Sequence, residues 1–304
     1  MALYITNIAA MRAQNSLASA TQMANTAIQR LTTGFRINSA KDDPAGLQIS
    51  DRLTAEINGL NQANRNAADG QALAQTIEGA LDETVDILQS IRTRAVQAAT
   101  GTLTKEDREA IQAEVSQLSE EITRIAEQTK YGGKTILNGY DNGNSIYNAD
   151  GKMVLQIGAY TGNTIEFDMS ESFTMEGLTD QVEAKIQAEG GTYTSVLNAD
   201  GAFDVSTQDG AQAVLDQIDT YLSVANRKRS ELGAVQVRLD SVMRVNANTS
   251  VNLADARSRI RDTDYAAESA NLMKANILQQ AALSMLIQAN QRQSMILSLI
   301  NSVM

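Results

Sequence analysis

The sequence predicts a mainly α protein, an elongated rod of long coiled-coil-like helices with a small β-hairpin region and with its N- and C-terminal helices paired. Three observations carry that expectation. Apolar residues recur at alternating steps of three and four over most of the chain, as a helix seam requires. The 304 residues include no Trp, no His, no Cys and one Pro, with 4% aromatics, a composition that suits narrow Leu, Ile and Ala seams better than a compact enzyme. The charge is also partitioned. Residues 1–40 carry three Arg and no acid, residues 265–304 carry Glu268, Lys274 and Arg292, and the middle, by difference from −11, carries −15. Sticky, nearly uncharged ends around an acidic middle divide the molecule into an inside and an outside, and the inside need not be its own.

Along the chain, Met1 to Gln29 has Arg12 as its only charge, and Leu3, Ile5, Ile8, Leu17, Met23, Ala24, Ala27 and Ile28, with Leu31 just beyond, are spaced among Ala, Asn, Gln, Ser and Thr. Thr33 to Gly46, TGFRINSAKDDPAG, contains the only Pro and reads as a hinge. Asp43 is placed as an N-cap with Pro44 at the first helical position. A helical pattern follows to about Thr100, stepping in its second half through Ile77, Leu81, Thr84, Leu88, Ile91 and Ala95, with Gly59, Gly70 and Gly79 weakening it. Thr104 and Asp107 form a capping-box-like start for the seam Ile111, Val115, Leu118, Ile122 and Ile125, which runs to Thr129.

Composition changes between Tyr131 and Gly210, which hold twelve of the 19 Gly and eight of the twelve aromatics. Met153 to Ile157 and Thr164 to Phe167 flank Tyr160-Thr161-Gly162-Asn163 and read as a hairpin, and Leu178 to Ala188 as a short helix. Heptad spacing returns from Gln212 to Ile260, through Leu215, Ile218, Leu222, Ala225, Leu232, Val235, Leu239 and Val242, with Asn246 and Thr249 as polar seam residues that fix register. At about 1.5 Å per residue such a helix would be roughly 75 Å long. Helices before and after the β region must cover each other's seams, so the chain goes out and returns, with both termini at one end.

From Ala275 onward the C-terminal stretch has a single charge, Arg292. One seam runs Leu272, Ala275, Gln279, Ala282, Leu286, Ala289, Gln293, Ile296, Ile300 and Val303, and a second runs Leu278, Ala281, Met285, Gln288, Met295 and Leu299. A helix apolar on several sides, carrying amides rather than charges, needs neighbours all round.

The absence of His and Cys removes the commonest general base, thiol nucleophiles and most zinc sites, so no catalytic, metal or cofactor residues are expected. The acidic balance argues against nucleic acid and anionic membranes. No run of eighteen apolar residues marks a membrane span, and the N-terminus lacks the regions of a Sec-type signal peptide.

Five segments carry a family resemblance: INSAKDDPAGLQISDRL (Ile37 to Leu53), LQIGAYTGNTI (Leu155 to Ile165), RKRSELGAVQVRL (Arg227 to Leu239), NLADARSRIRDTDYAAE (Asn252 to Glu268) and ILQQAALSMLIQANQRQSMILSLI (Ile277 to Ile300). At these residues the chain resembles bacterial flagellin, closely over 1–139 and 209–301, in a short form without large outer domains. Val237 and Arg292 stand where flagellins more often have Asn and Pro.

The resemblance implies terminal helices at 1–43 and 265–304 forming an inner filament core, and a helical rod domain at 44–264 with a β-hairpin and loop region at about 131–210. It implies a structural subunit of the extracellular flagellar filament, exported unfolded through a type III channel. The partners implied are other copies of the chain, an export chaperone at the C-terminal helix, and the hook-associated and cap proteins. Subunit packing is expected at Leu17, Ala24, Ile28, Leu31, Leu278, Leu286, Ile296 and Ile300. The flagellin-sensing Toll-like receptor is expected to contact Gln89, Arg92 and Glu114, weakened by departures at Ser90 and Arg94. Three other functions fit less well: a hook-filament junction protein, which the continuous match through LQIGAYTGNTI and ARSRIRDTDYAAE disfavours; a metallopeptidase insert, which needs the missing His; and a membrane-inserting amphipathic protein, for which the ends hold too few Lys and Arg.

Overall fold

The computed structural model describes residues 6–140, 144–191 and 193–303, with the side chains of 293, 294 and 296–303 outside the described set. Ten elements follow in order: α1 (Ile8–Thr33), α2 (Pro44–Ala98), α3 (Lys105–Gln128), β1 (Lys130–Tyr131), β2 (Lys134–Thr135), β3 (Lys152–Gln156), β4 (Thr164–Asp168), α4 (Met175–Ala188), α5 (Gln208–Arg261) and α6 (Tyr265–Val303). The protein is mainly α, and it divides into two compact units, Met1–Ile57 with Val251–Met304, and Asn58–Ser250.

In the first unit, local chemistry sets each helix end. Asn7 caps α1 by accepting the Ala10 N–H at 3.0 Å. Gly34 ends the helix at φ 74 while donating to the Arg30 carbonyl at 2.8 Å, a left-handed turn that glycine adopts without strain. Asp43 accepts the N–H groups of Ala45 and Gly46 at 3.1 and 3.0 Å and starts α2 at Pro44. Asp264 starts α6 likewise, accepting from Ala266 and Ala267 at 2.9 and 3.1 Å. The hinge after α1 is tied to the break before α6 by main-chain bonds, Arg36 N–H to the Arg261 carbonyl at 2.6 Å and Thr263 N–H to the Gly34 carbonyl at 2.9 Å. The Arg261 guanidinium lies 4.6 Å over the Phe35 ring, a cation–π contact that closes the same junction.

The second unit is built on the expected seams. Ile77, Leu81, Leu88, Ile91 and Ala95 of α2, Val115 and Ile122 of α3, and Ile218 and Leu239 of α5 are buried in one cluster with Ile165 and Phe167 of the β3–β4 hairpin. Phe203 and Tyr221 meet edge to face, 5.0 Å between centroids, and the Tyr221 hydroxyl pairs with Thr179 at 3.1 Å.

The hairpin pairs antiparallel, with Lys152 opposite Asp168 and Gln156 opposite Thr164. Glycine makes room for it on α2. A Cβ at Gly70 would meet the Leu155 side chain at 2.2 Å, and one at Gly59 would meet Ala159 at 2.9 Å. Asn66 donates to the Gln156 carbonyl and Asn246 to the Ile157 carbonyl, both at 2.9 Å. Asn246 thus satisfies a half-buried main-chain acceptor of the hairpin, a partner different from the facing helix that heptad spacing suggested.

The start of α3 is a reciprocal capping box: the Thr104 N–H donates to the Asp107 carboxylate at 3.0 Å and the Asp107 N–H donates to the Thr104 hydroxyl at 3.3 Å. The Thr104 backbone N–H, and after it the Thr104 hydroxyl, hold the Asp107 carboxyl below its ordinary value of 3.8. The folded chain therefore binds this proton less readily than the unfolded one. The box stabilises above that ordinary value and loses its contribution as pH falls through the lower, folded one. In Thr104→Ala the backbone donor remains and the hydroxyl is gone, so NMR titration of Asp107 is expected to move part of the way back. An unmoved titration would show that the hydroxyl plays no part.

Candidate functional site

Helices α1 and α6 pack antiparallel, as three cross-links show. Asn7 Nδ2 donates to the Ala289 carbonyl at 3.1 Å, Gln279 Nε2 donates to Thr21 Oγ1 at 3.1 Å, and Arg30 pairs with Glu268 at 3.6 Å. Between them the seam is almost entirely alanine: Ala13, Ala20, Ala24 and Ala27 on one side, Ala275 and Ala282 on the other, all buried. Methyl-sized side chains let two helices approach closely, but such a seam takes little apolar area out of water.

Leu17, Leu31, Leu272 and Leu286 are half-buried, and most of the other large apolar side chains of both helices point away from the seam. Ile8, Met11 and Ile28 of α1 are 61, 55 and 50% exposed, and Met273, Ile277, Met285 and Ile287 of α6 are 66, 66, 60 and 56% exposed. Large apolar side chains left exposed together on one helix pair are the mark of an interaction site. A groove of about 860 Å³ runs beside the seam, lined by Met23, Leu278 and Met285 together with Ala13, Ala282, Arg12 and Arg292. Among the described residues no helix is long and apolar enough to cross a membrane.

The expected packing residues fall into four groups. Ala24 lies inside the seam and Leu17, Leu31 and Leu286 are half-buried, whereas Ile28 and Leu278 are exposed at 50 and 39%. Ile296 and Ile300 have side chains outside the described residues. Sequence reasoning had set Ala24 beside Ile28 as one packing set, but the helix pair turns the first inward and the second outward. It also passed over the inner alanines Ala13 and Ala20, whose spacing of seven was a visible signal, and the outer residues Met273, Ile277, Leu283 and Ile287.

The second expected region lies on α2 and α3. Gln89, Arg92 and Glu114 are exposed, and Arg92 reaches Asp219 of α5 at 3.4 Å. Arg94 occupies Glu114, with Nη2 at 2.7 Å and Nε at 2.9 Å from its Oε1, and donates to Gln97 at 3.3 Å. The Ser90 hydroxyl turns back to the Asp86 carbonyl at 3.0 Å. One departure thus binds an expected contact residue, and the other reaches no farther than its own helix.

Comparison with known proteins gives consistent results. The family described as the bacterial flagellin N-terminal helical region matches residues 5–142, and the bacterial flagellin C-terminal helical region matches residues 215–300. Flagellin D of Vibrio cholerae is 36% identical, over 97% of this chain and 98% of that protein. Polar flagellin F of Vibrio parahaemolyticus is 33% identical, over the same shares of each. Among solved structures, a putative flagellar hook-associated protein from Vibrio parahaemolyticus aligns with a TM-score of 0.54 at 17% identity, over 73% of this chain and 100% of that one. Bacillus cereus flagellin aligns with a TM-score of 0.48 at 23% identity, over 64% of this chain and 94% of that one. The first of these structural likenesses speaks to the fold alone.

Proposed function

Because the chain belongs to the bacterial flagellin family, we propose that it is the repeating structural subunit of an extracellular flagellar filament, not an enzyme, and that it polymerises with copies of itself. The observation that carries the reading is the division of labour in the terminal pair. Alanine, flanked by half-buried Leu, holds the two helices of one chain together, and Ile8, Ile28, Ile277, Ile287 and the exposed Met are left outside for other copies. The residues expected at that contact are Ile28 and Leu278 with their neighbours, and 1–43 with 265–304 as the inner core. The test is elongation of short filament seeds by purified monomer, followed by electron microscopy. Seeds that fail to lengthen would count against the reading. The hook-filament junction role is less supported, since the relatives at 33 to 36% identity are flagellins by name.

Several finer partners belong to the same proposal. The outer face of α6 is where an export chaperone would shield apolar surface before type III export. The same face, at the ends of a filament, would meet the hook-associated and cap proteins. For the flagellin-sensing Toll-like receptor, Gln89, Arg92 and Glu114 are the contact set, and the Arg94–Glu114 pair competes for one of them. An exposed ion pair is worth little to stability, so its removal is expected to free Glu114 without unfolding the unit. The Ser90→Arg, Arg94→Leu double mutant is expected to gain about tenfold in a receptor-reporter titration, equivalent to about 1.4 kcal/mol. No gain would show that these departures do not set the affinity.

A further inference from the structure

Methionine is distributed unevenly. Among the described residues, every exposed methionine belongs to the terminal pair: Met11 and Met23 on α1, and Met273, Met285 and Met295 on α6. Those of the second unit are sheltered, Met169 and Met175 being buried and Met153 and Met243 half-buried. The exposed thioethers therefore sit on the apolar face assigned above to contact with other copies, and two of them, Met23 and Met285, line its groove.

We infer that this methionine face is an oxidation-sensitive control on assembly, in which a peroxide or hypochlorous acid converts exposed thioethers of the free chain to sulfoxides and so blocks its addition to a filament. In the step, a sulfur lone pair takes one oxygen from hydrogen peroxide. An S–O bond forms, the O–O bond breaks and water leaves, so sulfur is oxidised by two electrons and peroxide is reduced. The product is polar and chiral where the reactant was apolar. A sulfoxide costs nothing on a monomer in water, but buried at a contact between copies it must lose its hydration without an assured donor. The cost recurs at every subunit added. Sulfoxide reductases reverse the modification, so assembly competence would be recoverable.

The inference rests on the assembly reading, and the test separates the two. Purified monomer is treated with graded hydrogen peroxide, sulfoxides are mapped by peptide mass spectrometry, and seeded elongation is measured before and after. Met11, Met23, Met273, Met285 and Met295 are expected to oxidise at least about tenfold faster than Met169 and Met175, in line with their exposure. Elongation is expected to fall about tenfold or more at a dose that spares the second unit, and methionine sulfoxide reductase is expected to restore it. A chain with those five residues changed to Leu, of similar volume and apolarity, should show a treated-to-untreated ratio near one, whatever its untreated rate. Elongation of the sulfoxide-bearing parent at the untreated rate would overturn the inference and leave the assembly reading standing, as would loss of elongation that the reductase does not restore. Failure of the untreated chain to elongate would overturn the assembly reading and the inference with it.

Discussion

A chain carrying Ile28→Asp and Leu278→Asp is expected to remain a folded monomer and to form no filaments under conditions that polymerise the parent. Both side chains are exposed in the single chain, at 50 and 39%, so an added carboxylate keeps its hydration there, and surface substitutions of this kind usually stay within about 0.5 kcal/mol. At a contact between copies the same carboxylate loses water without a partner, at a cost of several kcal/mol per ion. The positive charge within reach is limited, since α1 offers only Arg12 and Arg30, the latter paired with Glu268, and α6 only Lys274 and Arg292. Pelleting and electron microscopy read the assembly, and circular dichroism reads the fold. Filaments of normal length from the double mutant would place the contact elsewhere. The control is Ala24→Asp, which puts the charge inside the seam and is expected to loosen the pair itself.

That contrast between positions four residues apart marks the limit of what the sequence could show. The helices were legible because apolar residues keep step with 3.6 residues per turn, and their ends because Asp43-Pro44 and Thr104 with Asp107 are local devices that need no tertiary partner. Which side of α6 turns inward was harder to see. A helix apolar all round presents no single stripe, and the side it buries is marked by Ala275 and Ala282 rather than by its largest residues. Size therefore pointed to the outer face and periodicity to the inner one, and only the observed pairing separates them.

The second unit hid its long-range partners in the same way. Gly59 and Gly70 read locally as weak points in a helix, because glycine costs about 1 kcal/mol there relative to Ala. Their purpose depends on Ala159 and Leu155, which approach from the hairpin. Asn246 read as a register device among helices, yet its amide reaches the Ile157 carbonyl. The Arg94–Glu114 pair was likewise invisible, since nothing in either local sequence says that α2 and α3 bring those two side chains together.

Within α2 the sharpest contrast expected in stability lies between adjacent residues. Ile91 is fully buried in the cluster shared by α2, α3 and α5, and truncating such a side chain removes its burial and leaves a cavity, at about 2 to 5 kcal/mol. Arg92 points outward, and its pairing with Asp219 at 3.4 Å joins side chains that are 51 and 61% exposed, an interaction worth at most about 1 kcal/mol. Ile91→Ala is therefore expected to lower the urea midpoint of the second unit substantially with an unchanged slope, and Arg92→Ala to leave it nearly where it was. In receptor binding the order reverses, because Arg92 is in the proposed contact set and Ile91 can act only through the fold. Denaturation followed by circular dichroism, beside a receptor-reporter titration of the same two proteins, checks both halves. A loss on Arg92→Ala as large as that on Ile91→Ala would mean that the α2–α5 contact depends on the ion pair more than on the buried seam.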